Sequence, residues 1–543
     1  MAARRPTVVL LPLLAGLTVI ALVAAAARSP LHPVPAAPQS DKLTAVRASV
    51  AEVNRLFERR WSDAGVQPAP KADDLAILRR MSLALHGTIP SLEELRRFEA
   101  DDQPDRLERW TIQLLNDRRF ADYFAARLAR AFVGAEQGQF ILFRRDRFTN
   151  WLSEQLQANR PFDELVREMI AEQGLWTGNP ATNYITQAAV EGALDANKLA
   201  GRTVRAFLGQ RIDCAQCHDH PFAHWKQAEF EGLAACFGQA RVRVTGIEDY
   251  ASEVFHVDDR RTQKQRAVEP VVPFGEAWMP VDGTLRQRLA AWVTHPNNRR
   301  FERAIANRAW GMMFGRPWHD PVDDLPDPGD APDREQDLLD LLGTQFREQG
   351  YDLKRLLFLM ASSRAFQLES RHPAYETGEQ LDAVEAEFAV FPLVRLRPEQ
   401  MIGAMLQASS IKTIDQNSHL FTRFLRFVRE QDFVRDYGDL GERELDEQSG
   451  TIPQALLRLN GRFAREVSEA NPINASGRIA AMSPSDAVAI DAAYLCCLAR
   501  HPTVEERDYF VNQITGDGER QRGDIIEDLY WTLFNSPEFC WNH

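Results

Sequence analysis

The sequence predicts a mainly α fold: two helical domains with a small β-rich segment near the junction. Three observations predict it. Apolar residues recur at three- and four-residue spacing through most of the chain, capping chemistry stands at the ends of those runs, and strict alternation is confined to one central interval.

The first stripe is Leu75, Leu78, Met81 and Leu85, one face of a helix. Ser91 and Glu94, just after Pro90, form a capping box whose hydroxyl and carboxylate satisfy exposed amides, so a second helix starts there. In the centre, Arg241-Val242-Arg243-Val244 alternates charge with branched apolar residues, and Val271 and Val272 stand between prolines, which predicts a small sheet or ribbon. The charged run from Asp258 to Arg266 between them is expected to be solvated. Further on, Leu338, Leu342 and Phe346 share a face, Gly350 supplies a stop, and Asp352 caps the next helix with Leu356, Leu357 and Met360. Thr503 and Glu506 repeat the capping box before the amphipathic stretch that ends in Leu529, Leu533 and Phe534.

These marks divide the chain. Residues 1–28 read as a signal peptide or N-terminal membrane anchor, 29–44 as a proline-rich linker, 45–245 as a helical domain, 246–282 as a β-rich or irregular connector, and 283–543 as a second helical domain. The first assignment rests on Arg4 and Arg5, followed by an apolar run from Val8 to Ala27 and then by Arg28, Pro30, Pro33, Pro35 and Pro38. Ala24-Ala25-Ala26 offers small residues for cleavage, while the length of the run nearly spans a bilayer. The expected location is therefore outside the cytoplasm, in the periplasm or cell envelope, with a membrane tether if the segment is retained.

Composition narrows the function. The chain has 543 residues, 44% hydrophobic and 26% charged, and a net charge of −13, which excludes a general nucleic-acid role because phosphate binding needs a basic surface. Cys236, Cys496, Cys497 and Cys540 make no regular disulfide framework. No Gly-rich phosphate loop, nucleophile elbow or zinc-protease signature assigns a reaction.

The most informative feature is Cys214-Ala215-Gln216-Cys217-His218. Two thiols three residues apart, followed by an imidazole, are what covalent attachment of c-type haem requires: sulfurs for the two vinyl groups and a ring nitrogen for the iron. With 6 Cys and 12 His in 543 residues, chance would produce the pattern in roughly one such chain in several hundred, so the motif is fairly specific. Cys214 and Cys217 are thus expected as attachment points and His218 as the proximal ligand. Met279, Met312, Met313, His256 and His319 are the candidates for the distal position, which can also stay open. Such a protein would exchange electrons with a redox partner protein or a small molecule. Two other readings use the same residues: a structural zinc site of Cys214, Cys217, His220 and His224 in a non-catalytic envelope scaffold, or a Cys214–Cys217 disulfide.

Two further clusters carry weaker expectations. Asp320, Asp323, Asp324, Asp327, Asp330 and Asp333 could surround calcium, but they lack EF-hand spacing, and the prolines among them favour a stiff connector whose acids pair with arginines such as Arg308 and Arg316. Asn307, Arg308 and Trp310, on a helix from Phe301 to Phe314, could line a polar cleft or simply pack. Ser362 and Ser363 read as ordinary helix residues.

The landmarks of both halves resemble a known pairing. Leu78-Arg79-Arg80-Met81-Ser82-Leu83, Gly87-Thr88-Ile89-Pro90, Pro161-Phe162-Asp163 and Phe207-Leu208-Gly209 lead to Cys214-Ala215-Gln216-Cys217-His218-Asp219-His220-Pro221-Phe222. Asn307-Arg308-Ala309-Trp310, Asp320-Pro321-Val322-Asp323-Asp324-Leu325, Gly350-Tyr351-Asp352-Leu353, Ser362-Ser363-Arg364-Ala365-Phe366 and Leu533-Phe534-Asn535-Ser536-Pro537-Glu538-Phe539 follow. With these, the chain resembles the paired domain-of-unknown-function families 1549 and 1553 of exported planctomycete-type proteins, which are associated with cytochrome c modules. The resemblance implies an exported, redox-linked setting and no particular reaction.

Overall fold

Capping side chains decide where the helices begin. In the computed structural model, which describes residues 40–134, 145–175, 177–190, 192–259, 264–328, 337–374, 379–415, 452–516 and 520–543, Asp73 accepts from the Leu75 amide at the start of a helix that stops at Gly87. Ser91 and Glu94 form the expected reciprocal box, and Asp352 accepts from the Arg355 amide. Thr503 and Glu506 bond each other's amides at 2.8 and 3.2 Å. Each such bond satisfies an amide that the helix itself leaves unpaired.

The fold is mainly α. The first half comprises α1 (Ser40–Ala64), α2 (Asp74–His86), α3 (Leu92–Glu99), α4 (Arg106–Asn116), α5 (Arg118–Val133), α6 (Arg145–Gln157), α7 (Phe162–Ala171), α8 (Asn183–Thr186), α9 (Ala196–Leu208) and α10 (Gln227–Ala235). The second comprises α11 (Leu285–Val293), α12 (Arg299–Phe314), α13 (Leu338–Glu348), α14 (Leu353–Ala361), α15 (Glu379–Ala386), α16 (Pro398–Ala408), α17 (Ile452–Asn460), α18 (Arg462–Ser468), α19 (Ala475–Met482), α20 (Asp486–Leu498), α21 (Val504–Gly516), α22 (Arg522–Asn535) and α23 (Pro537–Cys540). The run Val8–Ala27 and the prolines behind it lie outside the described residues, and α1 begins inside the stretch expected as linker. Among the described residues no helix is long and apolar enough to cross a membrane.

Strands are short and paired in twos. Two hairpins near the junction carry the expected β character: β3 (Ala240–Arg243) with β4 (Gly246–Asp249), and β5 (Phe255–Asp259) with β6 (Lys264–Val268). The second hairpin differs from the sequence expectation, because the charged run forms its arms while Val271 and Val272 fall outside any strand. A ribbon two strands wide exposes most of both faces, so polar residues suit it and no apolar alternation marks it. Small antiparallel pairs also join β1 (Ala189–Val190) to β2 (Ala193–Leu194) and β7 (Val394–Arg395) to β8 (Trp541–Asn542).

One continuous apolar core joins the two halves. It runs from Val53 and Phe57 on α1, through Leu78 and Leu85 on α2 and Trp310 and Phe314 on α12, to Leu529 and Phe534 on α22. Helices α1 and α2 of the first half pack on α12, α13 and α14 of the second, and α7 packs on α11. Buried arginines stitch the same boundary. Arg79 donates to the Cys497 and Phe539 carbonyls at 3.1 and 3.3 Å, and Arg80 donates to those of Phe366, Leu368 and His543 at 2.7, 2.8 and 3.0 Å. Arg286 on α11 is fully buried against Asp249 on β4, at 2.8 Å for both oxygens, and also donates to the Ile170 carbonyl. A buried guanidinium is tolerated when most of its donors find acceptors, and here backbone carbonyls and the Asp249 carboxylate supply them.

Candidate functional site

The cysteine motif sits on a loop held at both ends. Helix α9, capped by Asp195, runs into Gly209, whose φ of +61° is the left-handed region. A Cβ there would lie 3.0 Å from Leu325 Cδ1 and 3.2 Å from Ala304 Cβ, so glycine meets both the turn and the close approach of the second half. The Leu325 amide donates to the Gly209 carbonyl at 2.8 Å, and the Gln210 side chain donates to the Leu325 carbonyl. Ile212 and Ala215 are buried pins between which the chain forms a single 3₁₀ turn, Asp213–Gln216.

That turn sets the thiol geometry. The Ala215 amide donates to the Ile212 carbonyl at 2.9 Å and the Cys217 amide to the Cys214 carbonyl at 3.3 Å. A 3₁₀ helix has three residues per turn, so Cys214 within it and Cys217 at its end stand one turn apart. Both are exposed, and neither is joined in a disulfide. Downstream, the His220 amide donates to the Trp225 carbonyl at 2.8 Å, and Trp225, only 3% exposed, anchors the far end beside Phe274. Between the pins the chain faces solvent, with Phe222 94% exposed at its tip.

The histidines differ in which nitrogen is available. His218 Nδ1 lies 2.7 Å from the Asp219 carbonyl, which can only accept, so in the neutral ring the proton sits on Nδ1 and the lone pair on Nε2. That is the tautomer in which metal-ligating imidazoles are usually held. His220 is the opposite case, since the Phe222 amide donates to its Nδ1 at 3.2 Å. His224 stacks on Trp225 and turns its Nδ1 toward Asp327 at 3.4 Å. Asp219 accepts from the Gln227 amide at 3.0 Å, and that bond, then Lys226, holds its carboxyl below the usual range. Among the described residues no group of three or more His, Cys, Asp or Glu side chains is arranged to hold a metal ion. The zinc set Cys214, Cys217, His220 and His224 is therefore close in sequence without converging.

The distal candidates are dispersed. Met312 and Met313 are buried on α12, and His319, which burial pushes below its ordinary pKa, has its amide bonded to Asn307 Oδ1 at 2.9 Å. His256 lies on β5 with Nδ1 3.0 Å from the Val254 carbonyl. Met279 follows a short 3₁₀ turn, Glu276–Trp278, whose Trp278 packs on Phe274, the ring beside Trp225. Met279 thus directly follows, in the chain, a member of the aromatic group that anchors the cysteine loop.

The acids expected around calcium are engaged as ion pairs. Asp323 pairs with Arg211 at 2.6 Å and Arg205 at 3.6 Å, and Asp327 with Arg300 as well as His224. Asp323 and Asp327 thus pair with arginines other than the Arg308 and Arg316 anticipated, and Arg316 donates to the Glu385 carbonyl at 2.6 Å. Asp320 and Asp324 are exposed, and Asp330 and Asp333 lie outside the described residues. Asn307 lines no open cleft, being fully buried and bonded to the His319 and Val322 carbonyls at 2.9 and 3.4 Å. Trp310 is core, stacked on Phe314 at 3.8 Å, and Ser363 is buried with its hydroxyl donating to the Met360 carbonyl. Sequence reasoning missed Arg205, Gln210 and Arg211, whose partners are more than a hundred residues away except for Asp213, which Arg205 also bonds.

Residues 52–242 match the family described as PSCyt2, protein of unknown function (DUF1549), and residues 285–514 match the family described as PSD1, protein of unknown function (DUF1553). No curated protein and no solved structure matches the chain. The cysteine loop falls in the first match and Asp323 to Asp327 in the second. The chain belongs to the proteins that carry these two families in tandem, DUF1549 followed by DUF1553.

Proposed function

We propose that this chain is an exported, redox-associated protein that holds a c-type haem on Cys214, Cys217 and His218 and exchanges electrons with a partner. One observation carries the reading: two exposed thiols stand one 3₁₀ turn apart, followed at once by His218, whose Nδ1 lies against a backbone carbonyl, an arrangement that in the neutral ring leaves the lone pair on Nε2. The residues fit the group. Cys214 and Cys217 would be its thioether anchors and His218 its iron ligand, with bound haem supplying reversible one-electron chemistry. Among the described residues, Gln216, His218, Asp219, Pro221, Phe222 and Ala223 are all exposed, so the loop's own side chains do not enclose the motif. Phe222, 94% exposed on the same loop, offers an apolar side chain to such a group. The arginine-led apolar run at the N-terminus supports export, the compartment in which such attachment occurs, with either a cleaved signal or a retained membrane tether.

Full-length protein matured in a haem-attaching host tests the reading. A Soret band that survives acid-acetone extraction is expected, and Cys217→Ser should lose most of that covalent band. Stoichiometric zinc without a covalent band would overturn it in favour of an envelope scaffold with a metal knot at Cys214, Cys217, His220 and His224.

A further inference from the structure

We infer that the second half fixes the cysteine loop of the first: Asp323, on a segment held by the buried Asn307, is the positioning residue for the turn that carries Cys214, Cys217 and His218. The upstream end of the loop is bonded to residues 323–325 at nearly every position. Leu325 donates to the Gly209 carbonyl, Gln210 donates back to the Leu325 carbonyl, and Arg211 bonds Asp323 through Nε at 2.8 Å and through its terminal nitrogen at 2.6 Å. Arg205 bridges Asp323 to Asp213, the residue immediately before Cys214. The Asp323 carboxylate is only 13% exposed while Arg205 and Arg211 keep 36% and 46% exposure, so the acid is the shielded member at which both side chains converge.

The downstream end rests on the same segment. His224 faces Asp327, Asp327 pairs with Arg300, and Arg300 lies 4.3 Å from the centre of the Phe274 ring on which Trp225 packs. Asn307 in turn holds the segment, through the His319 and Val322 carbonyls and the His319 amide. Within the loop the backbone bonds at Ala215, Cys217 and His220 are short in range, and the Asp219 carboxylate adds a bond from the Gln227 amide and a contact with Lys226. Such a turn has little stability of its own, so its shape is set by what clamps its ends. The tandem of the two families thus has a mechanical sense: the second presents the surface that shapes the motif of the first.

The inference stands apart from the haem reading, because its test needs no haem. Hydrogen exchange is followed by mass spectrometry on the full chain made in a host without haem-attaching machinery. Asp323→Asn is expected to speed exchange in peptides covering residues 213–220 by about fivefold or more, while peptides of α2 keep their protection. Asp323→Glu should restore the loop, and Arg211→Gln, a change at a 46% exposed side chain that does not endanger folding, should give a smaller local increase. The exposed neighbour Asp324→Asn should have no effect. Unchanged exchange in Asp323→Asn, acceleration spread over the whole chain, or an equal local effect from Asp324→Asn would each overturn the proposal.

Discussion

Replacing Arg80 with methionine removes a guanidinium that ties α2 to three carbonyls of the second half while keeping an apolar stem of similar length. Its Nε and one terminal nitrogen donate to His543, Phe366 and Leu368 at 2.7 to 3.0 Å, its other nitrogen reaches Ser370 Oγ at 3.5 Å, and the group stacks 3.9 Å over Phe391. Three charge-assisted bonds contribute roughly 1.5–3 kcal/mol each. Several kcal/mol of guanidinium desolvation, no longer required in the variant, offsets part of that. The net cost is about 3 kcal/mol, mostly from carbonyls left without a donor in the core. Because the apolar core is continuous, the chain should unfold as one cooperative unit. At about 2.1 cal/mol/K per residue over roughly 500 residues, that cost lowers Tm by about 3 °C. Scanning calorimetry on Arg80→Met and Arg80→Lys measures it, with lysine, which retains a charge and fewer donors, falling between. A Tm for Arg80→Met within about 1 °C of the parent would refute the reasoning that this side chain holds the halves together.

Two other measurements follow from single side chains. Burial, then the nearby Arg119, pushes His86 down to about 4, and its Nε2 donates to the Leu114 carbonyl at 2.9 Å. Unfolded histidine titrates near 6.5, so the unfolded state takes up the proton first and stability falls as pH drops from about 6.5 to 4, by about 2 kcal/mol at pH 4.5. His86→Gln keeps a donor for Leu114 and should lose correspondingly less stability between pH 7 and 4.5 in denaturant titrations; an equal loss would show that His86 is not the group responsible. Gly209→Ala combines the left-handed backbone, at about 1 kcal/mol or more, with a Cβ tight against Leu325 and Ala304, so thermal unfolding should shift down by about 2 kcal/mol, and an unchanged Tm would remove the close approach from the account.

Local chemistry was readable in the sequence. Ser91 with Glu94, Thr503 with Glu506, and Asp352 each act within four residues of their partners, and the structure forms those caps. The spacing of Cys214 and Cys217 is likewise local, and one turn of 3₁₀ helix places them together. In the run 258–266, Asp258, Lys264, Gln265 and Arg266 are exposed as its charge predicts, but the strand pairing leaves no mark in the sequence, because charged residues look alike in coil and in a ribbon exposed on both sides. Long-range partners left no local mark. Nothing around Arg79 and Arg80 distinguishes them from surface arginines, yet packing buries both, at 1% exposure each.

By itself the sequence determined the helical character, the capped starts and the thiol pair with its neighbouring imidazole, since all of these follow from residues a turn or less apart. Only the tertiary structure decided that Asp323 serves Arg205 and Arg211 rather than Arg316, and that His224 faces Asp327. Several arginines compete for each acid along the chain with similar charge energies, and it is the packing of α9 against α12 that selects which pair can meet.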